Sequence, residues 1–507
     1  MTATSAGPAP APTPEQLQSV RGALRSPRRL KNEVFGGLVV GLALIPEAIA
    51  FSVIAGVDPR IGLFAAFTMA VTISFVGGRP AMISAATGAV ALVIAPLVKS
   101  HGLDYLVAAV ILAGIFQIIL GLSGVAKLMR FIPRSVMVGF VNALAILVFL
   151  AQMPELTGVP WPVYPLTAAG LLIVVGLPRL TSAVPAPLIA IVVLTVVTVL
   201  AGVDVPTVGD KGALPDSLPV LFFPNVPLNL ETLQVLFPYA LAMAFVGLLE
   251  SLMTAKLVDD ITDTRSSKTR EAWGQGVANI VTGFFGGMGG CAMIGQTMIN
   301  VKASGARTRI STFLAGVFLL ILVVALGGVV SLIPMAALVA IMIFVCIATF
   351  DWHSIRPATL KALPKSETAV MVATVAVTVA THNLAIGVGV GVLVAMVLFA
   401  RRVAHFVAVR RTVTADDGGT LVTYKVDGEL FFASSNDLYT QFEYALDPDR
   451  VVIDMHDSHL WDASTVATLD AITRKYRHHG KSVDVVGLNE ASLLMRERLA
   501  GKLGAGH

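Results

Sequence analysis

The chain has 507 residues, of which 55% are hydrophobic and only 13% are charged. Soluble chains carry roughly a quarter charged residues, so a water-soluble globule of this composition would leave far too much apolar surface uncovered. The net charge of +4 reads as basic loops facing anionic membrane lipid, not as nucleic-acid binding.

Residues 1–20 are Pro/Ala-rich and polar, and read as a disordered tail rather than a cleavable signal peptide. Residues 21–33, RGALRSPRRLKNE, form a basic amphipathic lead-in. Apolar segments then follow at 34–55, 61–78, a half-span at 85–99, 103–124, 134–153, 164–179 and 185–202. A polar, acid-leaning segment from Asp204 to Asn229 leads to a second set. Its members lie at 231–257, 272–289, a half-span at 291–301, 308–332, 334–350, 367–381 and 383–404. The pattern predicts an all-α polytopic membrane domain over 21–411, with about fourteen spans. They form two repeats, 34–202 and 231–404, each with a short third member. An odd number of spans per repeat inverts the second relative to the first.

Loop charges give an independent reading. With a cytoplasmic N-terminus, the inside loops hold Lys127, Arg130, Arg134, Arg179, Lys256 to Arg270, Lys302, Arg307 and Arg309. They also hold Arg356, Lys361, Lys365, Arg401, Arg402, Arg410 and Arg411. The outside loop 154–163 and position 382 carry no Lys or Arg, and 203–230 has only Lys211. Arg60 is an outside exception, and Arg79 is an inside charge close to a half-span. The positive-inside rule predicts a multi-pass inner-membrane protein with both termini cytoplasmic.

The stretch Gly286–Arg309, GGMGGCAMIGQTMINVKASGARTR, is too short and too rich in glycine to be an ordinary span. Broken backbone at membrane depth is tolerated only where protein or a wet cavity satisfies it. Ala292-Met293-Ile294-Gly295 has a near-copy at Ala81-Met82-Ile83-Ser84, before the other half-span. Two such segments in matching places point to a transporter's binding site. Helix N-termini carry free N–H groups and partial positive charge, so two facing one spot attract an anion without a fixed cation. The expected substrate contacts are Ala85, Ala86, Thr87 and Gly88 with Ala292, Met293, Ile294, Gly295 and Gln296. Gln296 and Asn300 either line the cavity or satisfy neighbouring backbone.

Two acids fall within spans: Glu47, after Pro46, and Glu250. An ionisable residue at membrane depth is a functional candidate by default, and a carboxyl withdrawn from water favours its neutral form. Both are therefore expected to carry a coupling proton, with Glu47 also at the substrate site. The alternative is a structural pairing with Arg79 or Lys256. Cys291 and Cys346 sit in apolar context without disulfide or metal-ligand spacing. No nucleophile–base pair, metal cluster or phosphate loop marks an enzyme or a cofactor site.

From about residue 412 the pattern changes. Segments 421–426 and 430–432 read as strands, 451–454 and 483–486 as buried parallel strands, and 435–446, 463–478 and 490–500 as helices. This predicts a small cytosolic α/β domain over 412–507.

Three motifs carry a family resemblance. They are Ile45-Pro46-Glu47-Ala48-Ile49-Ala50-Phe51, Glu250-Ser251-Leu252-Met253-Thr254 and Asn300-Val301-Lys302-Ala303-Ser304-Gly305-Ala306-Arg307-Thr308. With the paired short segments and Gly428-Glu429-Leu430-Phe431-Phe432 in the α/β module, the chain resembles the sulfate-permease (SulP, or solute carrier family 26) anion transporters. Its tail resembles their STAS domain. The resemblance implies a core of spans 1–4 and 8–11, a gate of spans 5–7 and 12–14, and a substrate site between the third and tenth. It also implies a homodimer and secondary active transport of a dicarboxylate, sulfate or bicarbonate, with proton symport the preferred mechanism. Sodium symport, anion exchange and an uncoupled channel are the alternatives. In sodium-coupled relatives the acid matching Glu250 and the hydroxyl matching Thr254 help to hold the ion. Some relatives have serine or arginine in the tenth segment where this chain has Ile294 and Gly295. Trp461-Asp462-Ala463-Ser464-Thr465 is similar to the loop that bears the phosphorylated serine of anti-sigma-factor antagonists, which makes Ser464 a regulatory candidate. The bland reading is a Ser/Thr helix cap.

Overall fold

The computed structural model describes residues 14–124, 132–179, 185–404, 407–416 and 419–500. Residues 1–13 of the expected tail, and Lys127 and Arg130 of the charge map, lie outside them. The end of that tail departs from expectation: Pro14–Leu17 and Val20–Leu24 are short helices, the second N-capped by Ser19. The described residues fall into two compact units, divided between Val392 and Leu393.

Every predicted segment of the membrane domain has a helical counterpart, the last of which, Leu384–Ala404, crosses the division between the units. The first repeat contains α1 (Pro27–Ala55), α2 (Pro59–Val76), α3 (Gly88–Leu122), α4 (Arg134–Leu150), α5 (Val163–Gly176) and α6 (Ala186–Leu200). Helix α3 fuses the half-span and its successor across Gly102, whose backbone is non-helical at φ 79°. The second repeat contains α7 (Leu230–Thr262), α8 (Lys268–Phe284), α9 (Ile294–Met298), α10 (Arg309–Ser331), α11 (Met335–Thr349), α12 (Lys365–Thr381) and α13 (Leu384–Ala404). Helix α9 continues as a π turn, Ile299–Ala303. Among the described residues, seven helices are long and apolar enough to cross a membrane by length and composition alone. Leu172, Val192, Leu200 and Ile321 stand exposed on helix surfaces, as side chains facing lipid must. Pro46 lies inside α1 without ending it.

Packing repeats with a two-fold pattern. Helix α1 packs on α10 as α7 packs on α3, α2 on α10 as α8 on α3, and α11 on α5 as α12 on α4. Small residues bring these backbones close: a Cβ at Gly114 would lie 2.6 Å from the Gly276 carbonyl, and one at Gly276 2.5 Å from that of Gly114. This is the usual glue between membrane helices, where burial from water supplies no driving force.

Loops sort into the two ends that the charge map assigns. The connecting segment 203–229 crosses one end. There Lys211 pairs with Glu155 at 2.7 Å, and Arg60 N donates to Ala213 O. Asn225 N donates to Asp104, and Phe222 N to Phe284 O. At the other end Arg79 bonds Asp259, Thr262 and Thr264, Arg309 bonds the last turn of α2, and Glu33 accepts from Arg307 N and Thr308 N.

The second unit is a four-stranded sheet ordered β3-β4-β5-β6, counting the short membrane-domain strands described below as β1 and β2. Strand β3 (Ala408–Asp416) is antiparallel to β4 (Gly419–Leu430), while β5 (Arg450–Leu460) and β6 (Ser482–Val486) extend it in parallel. Two expectations are corrected. Strand β3 is not expected from the sequence, where Arg410 and Arg411 mask its alternation and read as loop charge. Residues 430–432 end a strand and start α14 (Phe432–Thr440), so the helix expected over 435–446 begins and ends earlier. Helices α15 (Ala463–His478) and α16 (Glu490–Leu499) complete the unit.

Val422, Tyr424, Val426, Ile453, Leu469 and Tyr476 fill its core. The fully buried Asp447 carboxylate ties it together, accepting from Tyr424 Oη at 2.7 Å, from Tyr476 Oη, and from Arg411 Nη2 at 2.8 Å. Burial pushes both tyrosine hydroxyls above the ordinary phenol range, so they remain donors. Breaking a buried charge network from one side costs about 3–5 kcal/mol. Asp447→Ala is therefore expected to lower the unfolding midpoint of the C-terminal unit sharply. Tyr476→Phe should cost only about 1.5–3 kcal/mol, the value of one hydrogen bond to a charge. Denaturant titration of the two variants checks the ranking.

Candidate functional site

The site is built around two broken segments that meet inside the first unit. Ser84–Ala85 (β1) and Cys291–Ala292 (β2) pair antiparallel, with Ser84 opposite Ala292 and Ala85 opposite Cys291. Met293 N adds a bond to Ile83 O at 2.8 Å. Side chains complete the backbone's needs. Ala292 N donates to Ser251 Oγ at 3.0 Å, Ile83 N to Thr297 Oγ1 at 3.0 Å, and Gly290 N to Asn279 Oδ1 at 2.9 Å. The glycines make this approach possible. A Cβ at Gly290 would stand 1.9 Å from the Ala85 carbonyl, and Gly289 adopts φ +73°.

Helix α3 starts at Gly88, three residues after β1, and α9 starts at Ile294, two residues after β2. Placing strand on strand matches Ala85 with Ala292 and Gly88 with Gly295. The near-copies Ala81–Ser84 and Ala292–Gly295 are thus out of register: the first precedes and enters a strand, the second leaves a strand and opens a helix. Their likeness is not the structural repeat, although the segments themselves are.

Between these helix starts and helices α1, α4, α6, α7 and α11 lies a cavity of about 630 Å³. Glu47, Thr87, Gly88, Glu250, Met293, Ile294, Gly295 and Gln296 line it. Ala85, Ala86 and Ala292 do not: they are buried behind the wall, Ala85 and Ala292 within the strand pair. The wall reaches Phe35, Ser304 and Thr349 at the end the charge map assigns to the cytoplasm. Among the described lining residues there is no Lys, Arg or His.

Both acids bond to the tenth segment. Gln296 Nε2 donates to Glu47 Oε1, and Cys291 Sγ donates to Glu250 Oε2 at 2.9 Å. Neither pairs with a cation: Arg79 is bonded to Asp259, and Lys256 is exposed. Thr87 caps α3, its hydroxyl 3.5 Å from Val90 N and 3.1 Å from Cys291 Sγ. Thr254 is off the cavity wall and donates to the Glu250 carbonyl of its own helix at 2.8 Å. Asn300, within the π turn, donates to the Ala81 carbonyl and to Ser311 Oγ, each at 2.8 Å. Cys291 and Ser251 were not singled out from the sequence as site residues. The signal available was position alone, Cys291 directly before a half-helix and Ser251 directly after the acid. In the second unit Ser464 is exposed, but the cap of α15 is Asp462, which accepts from Thr465 N at 3.0 Å. The Ser/Thr cap is corrected accordingly.

Residues 30–168 and 163–374 match the sulfate permease family, and 412–499 match the STAS domain. The chain belongs to the sulfate permease family. YbaR of Bacillus subtilis (strain 168), named "Putative sulfate transporter YbaR", is 52% identical over 93% of this chain and 97% of its own length. The bicarbonate transporter BicA of Synechocystis is 26% identical over 93% of this chain and 91% of its own. Among solved structures, murine Slc26a9 in the inward-facing state matches with a TM-score of 0.79 at 15% identity, over 92% of this chain and 87% of that one. The transmembrane domain of a cyanobacterial BicA matches with a TM-score of 0.63 at 24% identity, over 72% and 97%. Sulfate permeases are transporters, not enzymes, and this family member is an integral membrane protein of the anion-transport class.

Two glycines separate packing from transport. A Cβ at Gly295 meets nothing within 4 Å, whereas one at Gly290 meets backbone. Gly295→Leu is expected to fold with an unfolding midpoint close to wild type and to lose most anion uptake by filling the cavity. Gly290→Ala should lose stability by about 1–3 kcal/mol, the usual cost of overpacking. Thermal unfolding of the purified variants beside uptake into proteoliposomes distinguishes the two.

Proposed function

We propose that this sulfate permease carries a small anion of the sulfate, bicarbonate or dicarboxylate class by alternating access, with protons moving in the same direction. One observation carries the reading: the cavity wall holds two carboxyl groups and, among its described residues, no cationic side chain. An anion about 5 Å from an ionised carboxylate is repelled by roughly 3 kcal/mol at an effective dielectric near 20. Protonating the carboxyl removes that repulsion, so anion and proton enter most favourably together. The attraction comes from the N-terminal ends of α3 and α9, whose free N–H groups and dipoles favour negative charge. Such a field holds an anion without a fixed cation, which suits a site that must release its cargo.

The place of Thr254 speaks for protons over sodium, because it lies off the cavity wall that Glu250 lines, and Glu250 bonds a thiol donor instead. The names of the relatives bring in the substrate class, sulfate from YbaR and bicarbonate from BicA. Loop charges favour both termini and the STAS unit on the cytoplasmic side of the inner membrane, and the family resemblance favours a homodimer. Core helices α1–α3 and α7–α10 would then rock against gate helices α4–α6 and α11–α13, opening the cavity to alternate sides.

Purified protein in liposomes, offered radiolabelled sulfate, bicarbonate or succinate, is expected to accumulate one of them on an inward proton gradient. Uptake should rise as external pH falls, because the carboxyl must be protonated before the anion enters. A sodium gradient alone should drive no accumulation. Glu250→Gln and Glu47→Gln are each expected to reduce proton-driven accumulation at least about tenfold, equivalent to roughly 1.4 kcal/mol. Stimulation by anion on the opposite side, with indifference to the proton gradient, would instead mean exchange.

A further inference from the structure

Glu250 on α7 and Thr87 at the start of α3 lie on different helices, and one side chain joins them. Cys291 Sγ stands 2.9 Å from Glu250 Oε2 on one side and 3.1 Å from Thr87 Oγ1 on the other. The thiol is fully buried, behind a cavity wall on which both of its partners lie. A thiol is at once donor and acceptor, and so is a hydroxyl. We propose that Cys291 is a positioning residue that makes the direction of the Thr87 hydroxyl depend on whether Glu250 carries a proton. The inference rests on the proton-coupled reading above and adds to it the path of coupling.

The hydrogens allow two arrangements. With Glu250 ionised, the Cys291 S–H donates to Oε2 and the Thr87 O–H donates to Sγ, so the hydroxyl faces away from the cavity. With Glu250 protonated, its O–H donates to Sγ and the S–H donates to Thr87 Oγ1. The Thr87 O–H is then released into the cavity, where an anion accepts it. No bond to carbon or sulfur changes, and the second state holds one proton more, the one taken up with the anion. In both states Thr87 Oγ1 keeps a lone pair for the N–H of Val90, so the cap of α3 persists. Coupling of this kind is reciprocal: proton and anion raise each other's affinity by the same factor.

Other titratable groups are placed so as not to short-circuit the relay. Across the cavity, Glu47 of α1 is held by Gln296. On α8, Lys268 bonds Asp259 of α7, and Glu271 accepts from Gly78 N and Arg79 N. On α3, Lys99, His101 and Asp104 lie near the Gly102 kink, and Asp104 accepts from Asn225 N. Lys302 sits in the π turn beyond α9, and Lys256 is exposed on α7 itself.

The test uses full-length protein in liposomes and whichever of radiolabelled sulfate, bicarbonate or succinate the wild type accumulates. Its readout is the apparent KM as external pH is raised. For a tightly linked proton the wild-type KM rises about tenfold per pH unit above the titration of the carboxyl. Cys291→Ala keeps the direct repulsion between the carboxylates and the anion but loses the connection from Glu250 to Thr87, so its KM is expected to rise clearly less steeply with pH than that of the wild type. Cys291→Ser, whose hydroxyl donates and accepts in the same way, should restore the slope. A single symmetric size-exclusion peak and an unfolding midpoint close to wild type verify that each variant is folded. A wild-type slope retained in Cys291→Ala overturns the relay while leaving proton coupling intact. Wild-type protein that accumulates none of the three anions on a proton gradient overturns the coupling reading and the relay with it.

Discussion

Two chains that break inside a membrane must find partners for their N–H and C=O groups, because lipid offers none and each unmet group costs several kcal/mol. Here each broken segment is the other's partner. The Ser84–Ala85 and Cys291–Ala292 strands pair, and hydroxyls and amides from Ser251, Thr297 and Asn279 meet the groups that the pairing leaves over. Every feature of the site follows from this junction. It sets the starts of α3 and α9 close to one another, it demands glycine at position 290, and it places Cys291 between two helices that do not otherwise share a hydrogen bond through their site residues.

The same junction explains how a cavity with two acids in its wall can serve an anion. The positive field comes from backbone, which cannot titrate or swing away, and the negative charge comes from side chains, which can be neutralised. On the proposed reading, preference for an anion comes from the fold and permission to bind it from protonation. The partners of the acids fit this division. Gln296 and Cys291 are neutral, so neither acid is fixed as an ion by a neighbouring cation, whereas the buried Asp447 of the STAS unit is held by Arg411 and two tyrosines. One unit keeps carboxyls switchable, and the other uses a carboxylate as a permanent staple.

Much of this was legible in the sequence, for physical reasons. A bilayer imposes a fixed apolar length, so the helices and the two short segments stand out by hydropathy, and loop charges assign them to ends that the structure keeps apart. The acids were legible because charge at membrane depth is rare. What escaped was set by contacts between distant residues. Repetition of Ala-Met-Ile suggested a register that the strand pair does not use, since register is decided by backbone bonding between segments some two hundred positions apart and not by local likeness. Strand β3 was hidden because Arg410 and Arg411 read as the charged border of the last span.

The two-fold scaffold finally carries chemistry that is not two-fold. Thr87 caps the helix after β1 with its side chain, whereas Met293, the N-cap of the helix after β2, supplies no side-chain cap. Glu47 and Glu250 occupy comparable places in α1 and α7, but both reach the tenth segment, at Gln296 and Cys291. A change of charge on either acid therefore acts directly on the tenth segment. Among the described residues, its hydrogen-bonded route to the third runs through the strand pair and the Cys291 thiol. If the anion sits between both helix starts, the tenth segment senses the proton and the third responds to it. The stretch that looked least like a membrane helix is then the place where the two ligands are compared.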